Sequence, residues 1–148
     1  MTSFTKQFHF LDVNVWLALT DCGHVHHDTA QSWLRAVSWT ARIFFCLVTQ
    51  LGLLRLLTST TIMGDEALTQ AGAWAAYDGW RQDERVQFLD EPPGLEHTFR
   101  SLTGHSRRST KDWADSYMTA FAVTAGLILV SFDRALERRP LDVVLLEP

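Results

Sequence analysis

His9-Phe10-Leu11-Asp12-Val13-Asn14-Val15-Trp16-Leu17-Ala18-Leu19 joins one apolar element directly to another, with a single aspartate at the junction. His9 to Val13 is a mainly apolar run and predicts a buried strand. Asn14 to Leu19 predicts a short helix capped by Asn14. The far end of the chain repeats the pairing in another order. Lys111 to Ala125 predicts a long helix stopped by Gly126. Leu127 to Ser131 then reads as a strand, and Asp133 opens a short helical turn.

The remaining segments fill the space between these two. His27 to Val37 predicts a helix, with Ala30, Trp33, Leu34 and Val37 at helical spacing. Phe44 to Val48 predicts a strand, and Thr49 to Leu57 a helix. Asp65 to Arg81 reads as one longer helix. Val86 to Leu89 predicts a strand closed by Pro92-Pro93-Gly94. Leu95 to Thr103 predicts a helix with Gly104 as a left-handed stop, and Val143 to Leu146 a last strand. Strands alternating with helices throughout predict the α/β class with a central, mostly parallel sheet. Ligands in such sheets bind at the C-terminal ends of the strands.

Composition limits the alternatives. The chain has 148 residues, a formal net charge of -4 and 47% apolar residues, the make-up of one globular domain spanning 1–148. No apolar run approaches the roughly 20 residues of a membrane span. The start MTSFTKQFHF has no apolar core behind a basic end, so an intracellular, cytoplasmic setting is expected. Two cysteines make neither a disulfide framework nor a zinc quartet. Cys46 reads as buried and Cys22 as a loop residue. The acidic balance argues weakly against a large phosphate-binding surface, although thirteen Lys and Arg residues leave room for a local one.

Three aspartates fall at the expected ligand edge: Asp12 after the first strand, Asp133 after the strand ending at Ser131, and Asp115 near the start of the helix leading into that strand. Carboxylates gathered there repel one another unless a cation neutralises them, and hard oxygen donors suit Mg²⁺ or Mn²⁺. Such an ion assists phosphodiester hydrolysis. Each residue also has a structural reading. Asp12 can turn the chain, Asp133 can cap the turn after it, and Asp112 and Asp115 can complement the helix dipole. Spacing alone leaves these readings side by side. His24, His26 and His27 lack the partners of a zinc site, and the tryptophans read chiefly as core and interface residues, with Trp16 available to a dimer or other partner contact.

Leu11-Asp12-Val13-Asn14-Val15-Trp16-Leu17-Ala18 resembles the opening motif of PIN-domain ribonucleases. Trp113-Ala114-Asp115-Ser116-Tyr117-Met118 resembles their third acidic motif, and Val130-Ser131-Phe132-Asp133-Arg134 their terminal strand motif. Thr49-Gln50-Leu51-Gly52-Leu53-Leu54-Arg55 and Thr103-Gly104-His105 are similar to a bacterial branch of VapC-type toxins. The ordered set spans nearly the whole chain. It implies an α/β/α sandwich with a parallel sheet of four or five strands. It also implies an Mg²⁺- or Mn²⁺-dependent endoribonuclease, an RNA substrate, a cognate VapB-type antitoxin and a homodimer. By this resemblance Asp12, Asp115 and Asp133 are catalytic and hold the metal, with Asn14 and Ser131 orienting them. Gln50 stands where the wider family has Glu, which lowers the expected metal affinity, and Asp112 is a possible replacement carboxylate. Arg100, Arg107, Arg108 and Lys111, with Arg134, Arg138 and Arg139, are candidate phosphate contacts. Arg55 is placed equally well at the site or in a structural ion pair. Two rival readings remain: a housekeeping RNA-processing PIN nuclease, and a weakened relative that acts by binding RNA or antitoxin.

Overall fold

The computed structural model describes residues 7–147. Its five strands are β1 (Phe8–Leu11), β2 (Arg42–Phe45), β3 (Val86–Phe88), β4 (Ile128–Ser131) and β5 (Val143–Leu145). They form one sheet in the order β3-β2-β1-β4-β5 with every neighbouring pair parallel. Phe10 lies opposite Phe44 on one side and Leu129 on the other, so β1 is central. The two-residue period of a strand sends Leu11, Ile43, Phe45 and Val130 to one face, and Phe10 and Leu129 to the other.

Each face is covered by helices. The connections are α1 (Val13–Thr20), α2 (His27–Ala36), α3 (Leu47–Leu57), α4 (Thr60–Met63), α5 (Gln70–Arg81), α6 (Leu95–Thr103) and α7 (Thr110–Ala125). The core of α1, α2, α3 and α5 packs on the Leu11 face, and that of α6 and α7 on the Phe10 face. The result is the α/β/α sandwich expected from the sequence. Trp16 stacks on Phe45 at 3.8 Å between ring centroids, and Phe10 on Phe121 at 4.6 Å. Burying side chains of this size contributes about 1.5–3 kcal/mol each. Among the described residues, no helix is long and apolar enough to cross a membrane.

Local chemistry corrects several expectations. The cap of α1 is Asp12 rather than Asn14, because the Asp12 carboxylate accepts the Val13 N–H at 2.8 Å. The second strand ends at Phe45, and Cys46 and Thr49 close a capping box that starts α3 two residues early. The expected helix over 65–81 is interrupted. Gly64 adopts φ 59°, ψ -132°, a short 3-10 turn follows, and Thr69 starts α5 by accepting the Gly72 N–H at 3.0 Å. Gly104 is not left-handed (φ -79°). A Cβ there would meet the Arg100 carbonyl oxygen at 3.0 Å, so close approach explains the glycine. Gly126, at φ 71°, is the left-handed stop foreseen for α7.

Candidate metal centre

The chain turns from β1 outward to β2 and β3, then returns to add β4 and β5 on the other flank of β1. The connection after β1 covers one face of the sheet, and Leu136, in the turn after β4, packs on the other. The crevice between the C-terminal ends of β1 and β4 is therefore the topological switch point, where open α/β sheets bind ligands. Asp12 sits one residue beyond β1, held against β4 by its N–H on the Val130 carbonyl at 2.9 Å. Asp133 sits two residues beyond β4.

Ser131 ties the crevice together. Its hydroxyl donates to Asp12 Oδ2 at 2.8 Å and accepts the Asp133 N–H at 2.9 Å. Asn14 reaches the same hydroxyl at 3.4 Å and accepts the Phe132 N–H at 3.4 Å. Asp133 also caps the turn that follows, accepting the Ala135 N–H at 3.0 Å. The N-cap roles weighed for Asp12 and Asp133 are thus real. In each case one carboxylate oxygen does the capping and leaves the other facing the site.

Asp115 projects from the first turns of α7, and Lys111 one turn earlier links it to the other strand. The Lys111 ammonium lies 3.2 Å from Asp133 Oδ2 and 3.8 Å from Asp115 Oδ2. Both carboxylates raise the Lys111 pKa. Burial pushes the Asp12 carboxyl above its ordinary value, and the negative charges of Asp115 and Asp133 add to that, against the hydrogen bonds from Ser131 and Val13. Burial likewise raises Asp115, opposed by Lys111 and reinforced by Asp133. Three carboxylates that feel one another's charge, with an ammonium between two of them, have the donor chemistry of a hard divalent cation site. Among the described residues no three Asp, Glu, His or Cys side chains stand close enough together to hold an ion as they are placed. The three aspartates share a field without forming a closed shell.

The other expected residues divide. Asp112 points to a separate network. Its Oδ1 accepts Arg139 at 2.8 Å and Ser116 at 3.2 Å, and its Oδ2 meets His105 Nε2 at 2.9 Å. These partners, His105 first and then Arg139, depress its pKa to about 2. Asp112 therefore latches the segment before α7 and the segment after β4 onto α7, and Arg139 is its counter-ion. Gln50 is half-buried in the first turns of α3, after β2. Arg134 pairs with Glu147 and Arg100 with Glu96, all exposed. Arg55 borders an open groove with Leu51 and Trp74 and joins none of the ion pairs among the described residues. Trp16 is 1% exposed and stacked on Phe45, so it cannot serve a partner contact; its alignment with the apolar face of α1 wins. The sequence reading missed the Lys111 bridge and the Glu91–Tyr117 hydrogen bond of 2.7 Å, neither of which leaves a periodic trace.

Comparison with known proteins agrees with this fold. The model of the PIN domain family matches residues 9–140. Ribonuclease VapC41 of Mycobacterium tuberculosis is 42% identical over 128 residues, covering 84% of this chain and 88% of that protein. Among solved structures, VapBC2 of Rickettsia felis bound to a promoter DNA fragment matches with TM-score 0.70 and 12% identity, covering 95% of this chain and 99% of that one. VapC20 of Mycobacterium tuberculosis, a Sarcin-Ricin loop cleaving toxin, matches with TM-score 0.68 and 20% identity, covering 95% and 99%. The sandwich, the switch-point aspartates and the sequence match converge: the chain belongs to the PIN-domain family, on its VapC-type branch.

Proposed function

We propose that the protein is a divalent-metal-dependent endoribonuclease toxin, held in check by a cognate VapB-type antitoxin. The observation that carries the reading is the linkage of Asp12 to Asp133 through the Ser131 hydroxyl, and of Asp133 to Asp115 through the Lys111 ammonium, at the switch point. Their carboxylates would hold Mg²⁺ or Mn²⁺, which supplies Lewis acidity and an activated water for phosphodiester hydrolysis, leaving 5′-phosphate and 3′-hydroxyl ends.

The chain's own residues do the rest. Ser131 fixes the free oxygen of Asp12 and the backbone of Asp133, so both aspartates keep their direction as the site fills. Asn14 holds Ser131 and the Phe132 backbone in register. Lys111 balances two carboxylates and stands where an entering phosphate would meet a positive charge. Gln50 would offer a neutral carbonyl oxygen where the wider family has Glu, which favours lower metal affinity. The same carboxylates would receive a basic side chain of the antitoxin, as they receive Lys111. The exposed Leu47, Val48, Leu51 and Trp74 along α3 and α5 are consistent with a partner surface, including that of a homodimer.

The test is cleavage of total RNA by purified protein, with Mg²⁺ or Mn²⁺ and with chelator. Cleavage that needs the metal and vanishes in Asp12→Ala and Asp115→Ala, both folded, is expected. Metal-independent cleavage, or cleavage retained by either variant, overturns it.

A further inference from the structure

Trp113 is 58% exposed at the start of α7, although a tryptophan gains more than most residues by burial. One side of its indole leans on Phe99 at 6.0 Å between ring centroids. It forms a wall of a cavity of about 340 Å³, which is also lined by His105, Arg107, Arg108, Thr110 and Asp112. Arg107 and Arg108 are exposed there, and neither takes part in the ion pairs found among the described residues. By contrast, the acidic residue of the cavity, Asp112, is already paired with Arg139 and hydrogen-bonded to His105. The cavity is thus locally cationic on a chain whose formal net charge is -4.

An open indole face beside two unpaired guanidinium groups is the chemistry that binds single-stranded nucleic acid: the ring stacks on a base, and the cations hold flanking phosphates. The position also fits. Trp113 lies two residues from Asp115 on the same helix, but nearly half a turn around it. The cavity and the acidic crevice therefore flank the N-terminal end of α7, about 10 Å apart across its diameter. Lys111, between Thr110 and Asp112 of the cavity wall, reaches the other way to Asp115 and Asp133.

We propose that Trp113, Arg107 and Arg108 form a subsite for an unpaired nucleotide flanking the scissile bond, with Trp113 stacking on its base. The inference rests on the nuclease reading above. It makes the segment 105–113 a determinant of which RNA strand is accepted and leaves the chemical step to the aspartates.

The test compares wild type with Trp113→Ala, Trp113→Phe and the double variant Arg107→Ala/Arg108→Ala. Cleavage kinetics are measured on a short single-stranded RNA of mixed sequence. Affinity for the same RNA is measured in an Asp115→Asn background across a salt series. Trp113→Ala is expected to raise KM and Kd about tenfold with kcat unchanged. Trp113→Phe, which keeps a stacking face, should stay close to wild type. The arginine pair should weaken binding and make the dependence of log Kd on log salt shallower by about 1.4. If wild type cuts the RNA and all three variants cut and bind equally well, the subsite is refuted and the nuclease reading stands; the exposed indole would then serve a protein contact. If wild type neither cuts nor binds RNA, both fall. A loss confined to kcat, or equal in Trp113→Phe and Trp113→Ala, also refutes stacking.

Discussion

Asp12 performs two tasks with two oxygens, one capping α1 and the other accepting Ser131. Ser131 is consequently the residue whose loss is felt most widely without removing a charge. Ser131→Ala leaves Asp12 Oδ2 and the Asp133 N–H without this partner. It should cost about 1–3 kcal/mol of stability and about 10- to 100-fold in metal affinity or activity, read by thermal melts and metal titration. Unchanged values in both would show that Ser131 positions nothing. The charges set opposite pH dependences. Asp112 is held near 2 by His105 and Arg139, so its folded pKa lies below its unfolded value. The stability it contributes is complete above about pH 4 and is lost as pH falls toward 2. Asp12 and Asp115 are raised, so the native state holds their protons longer, and their contribution declines as pH rises from the ordinary carboxylate range through their folded pKa values. Asp112→Asn should therefore lower Tm at neutral pH, with the deficit shrinking below about pH 4. In metal-free protein Asp12→Asn should raise Tm at neutral pH, with the gain shrinking on acidification. Melts across pH check both signs. The three aspartates could be picked out in the sequence because each lies close behind an apolar run or near the start of a helix, and the family resemblance gave them their role. The roles of Asp112 and Lys111 were not, because they depend on where long side chains from Arg139 and Lys111 end up, and no periodicity encodes that.

At the scale of elements, α1 and α3 carry Asp12's cap and Gln50 toward one edge, and Gly52 sets how closely they pack. A Cβ at position 52 would lie 2.9 Å from Val13 Cγ2. Val13 is β-branched and stiff, and its N–H is the one that Asp12 caps. Gly52→Ala should push the helices apart, cost about 1–3 kcal/mol and lower RNA cleavage through displacement of Asp12. A melt and a cleavage assay on the same sample test this, and a stable, fully active variant would contradict it. Strand and helix order could be read from apolar runs alone, since a doubly covered parallel sheet makes its strands continuously apolar. Element ends were harder. Asp12 and Asn14 are both good caps two residues apart, and the backbone geometry at Asp12 chose between them. The apolar spacing from Leu68 to Ala76 reads as part of one helix from Asp65, yet a short 3-10 turn ends at Glu66 and the Thr69 hydroxyl starts the helix afresh at Gln70.

For the whole molecule, the order β3-β2-β1-β4-β5 is what turns separate motifs into a site. Asp12 and Asp133 are 121 positions apart in the sequence. They meet because β4 returns to pair beside β1. A parallel sheet was predictable, whereas the pairing order was not, because strands buried on both faces all read as similar apolar runs. The measurement that bears most directly on the molecule as a nuclease is mapping of RNA 5′ ends after a brief pulse of expression without antitoxin, with wild type and Asp115→Ala side by side. New 5′-phosphate ends at a few discrete sites, in wild type only, are expected. Identical end profiles from the two proteins, both folded and equally abundant in a host carrying the target RNA, would contradict it.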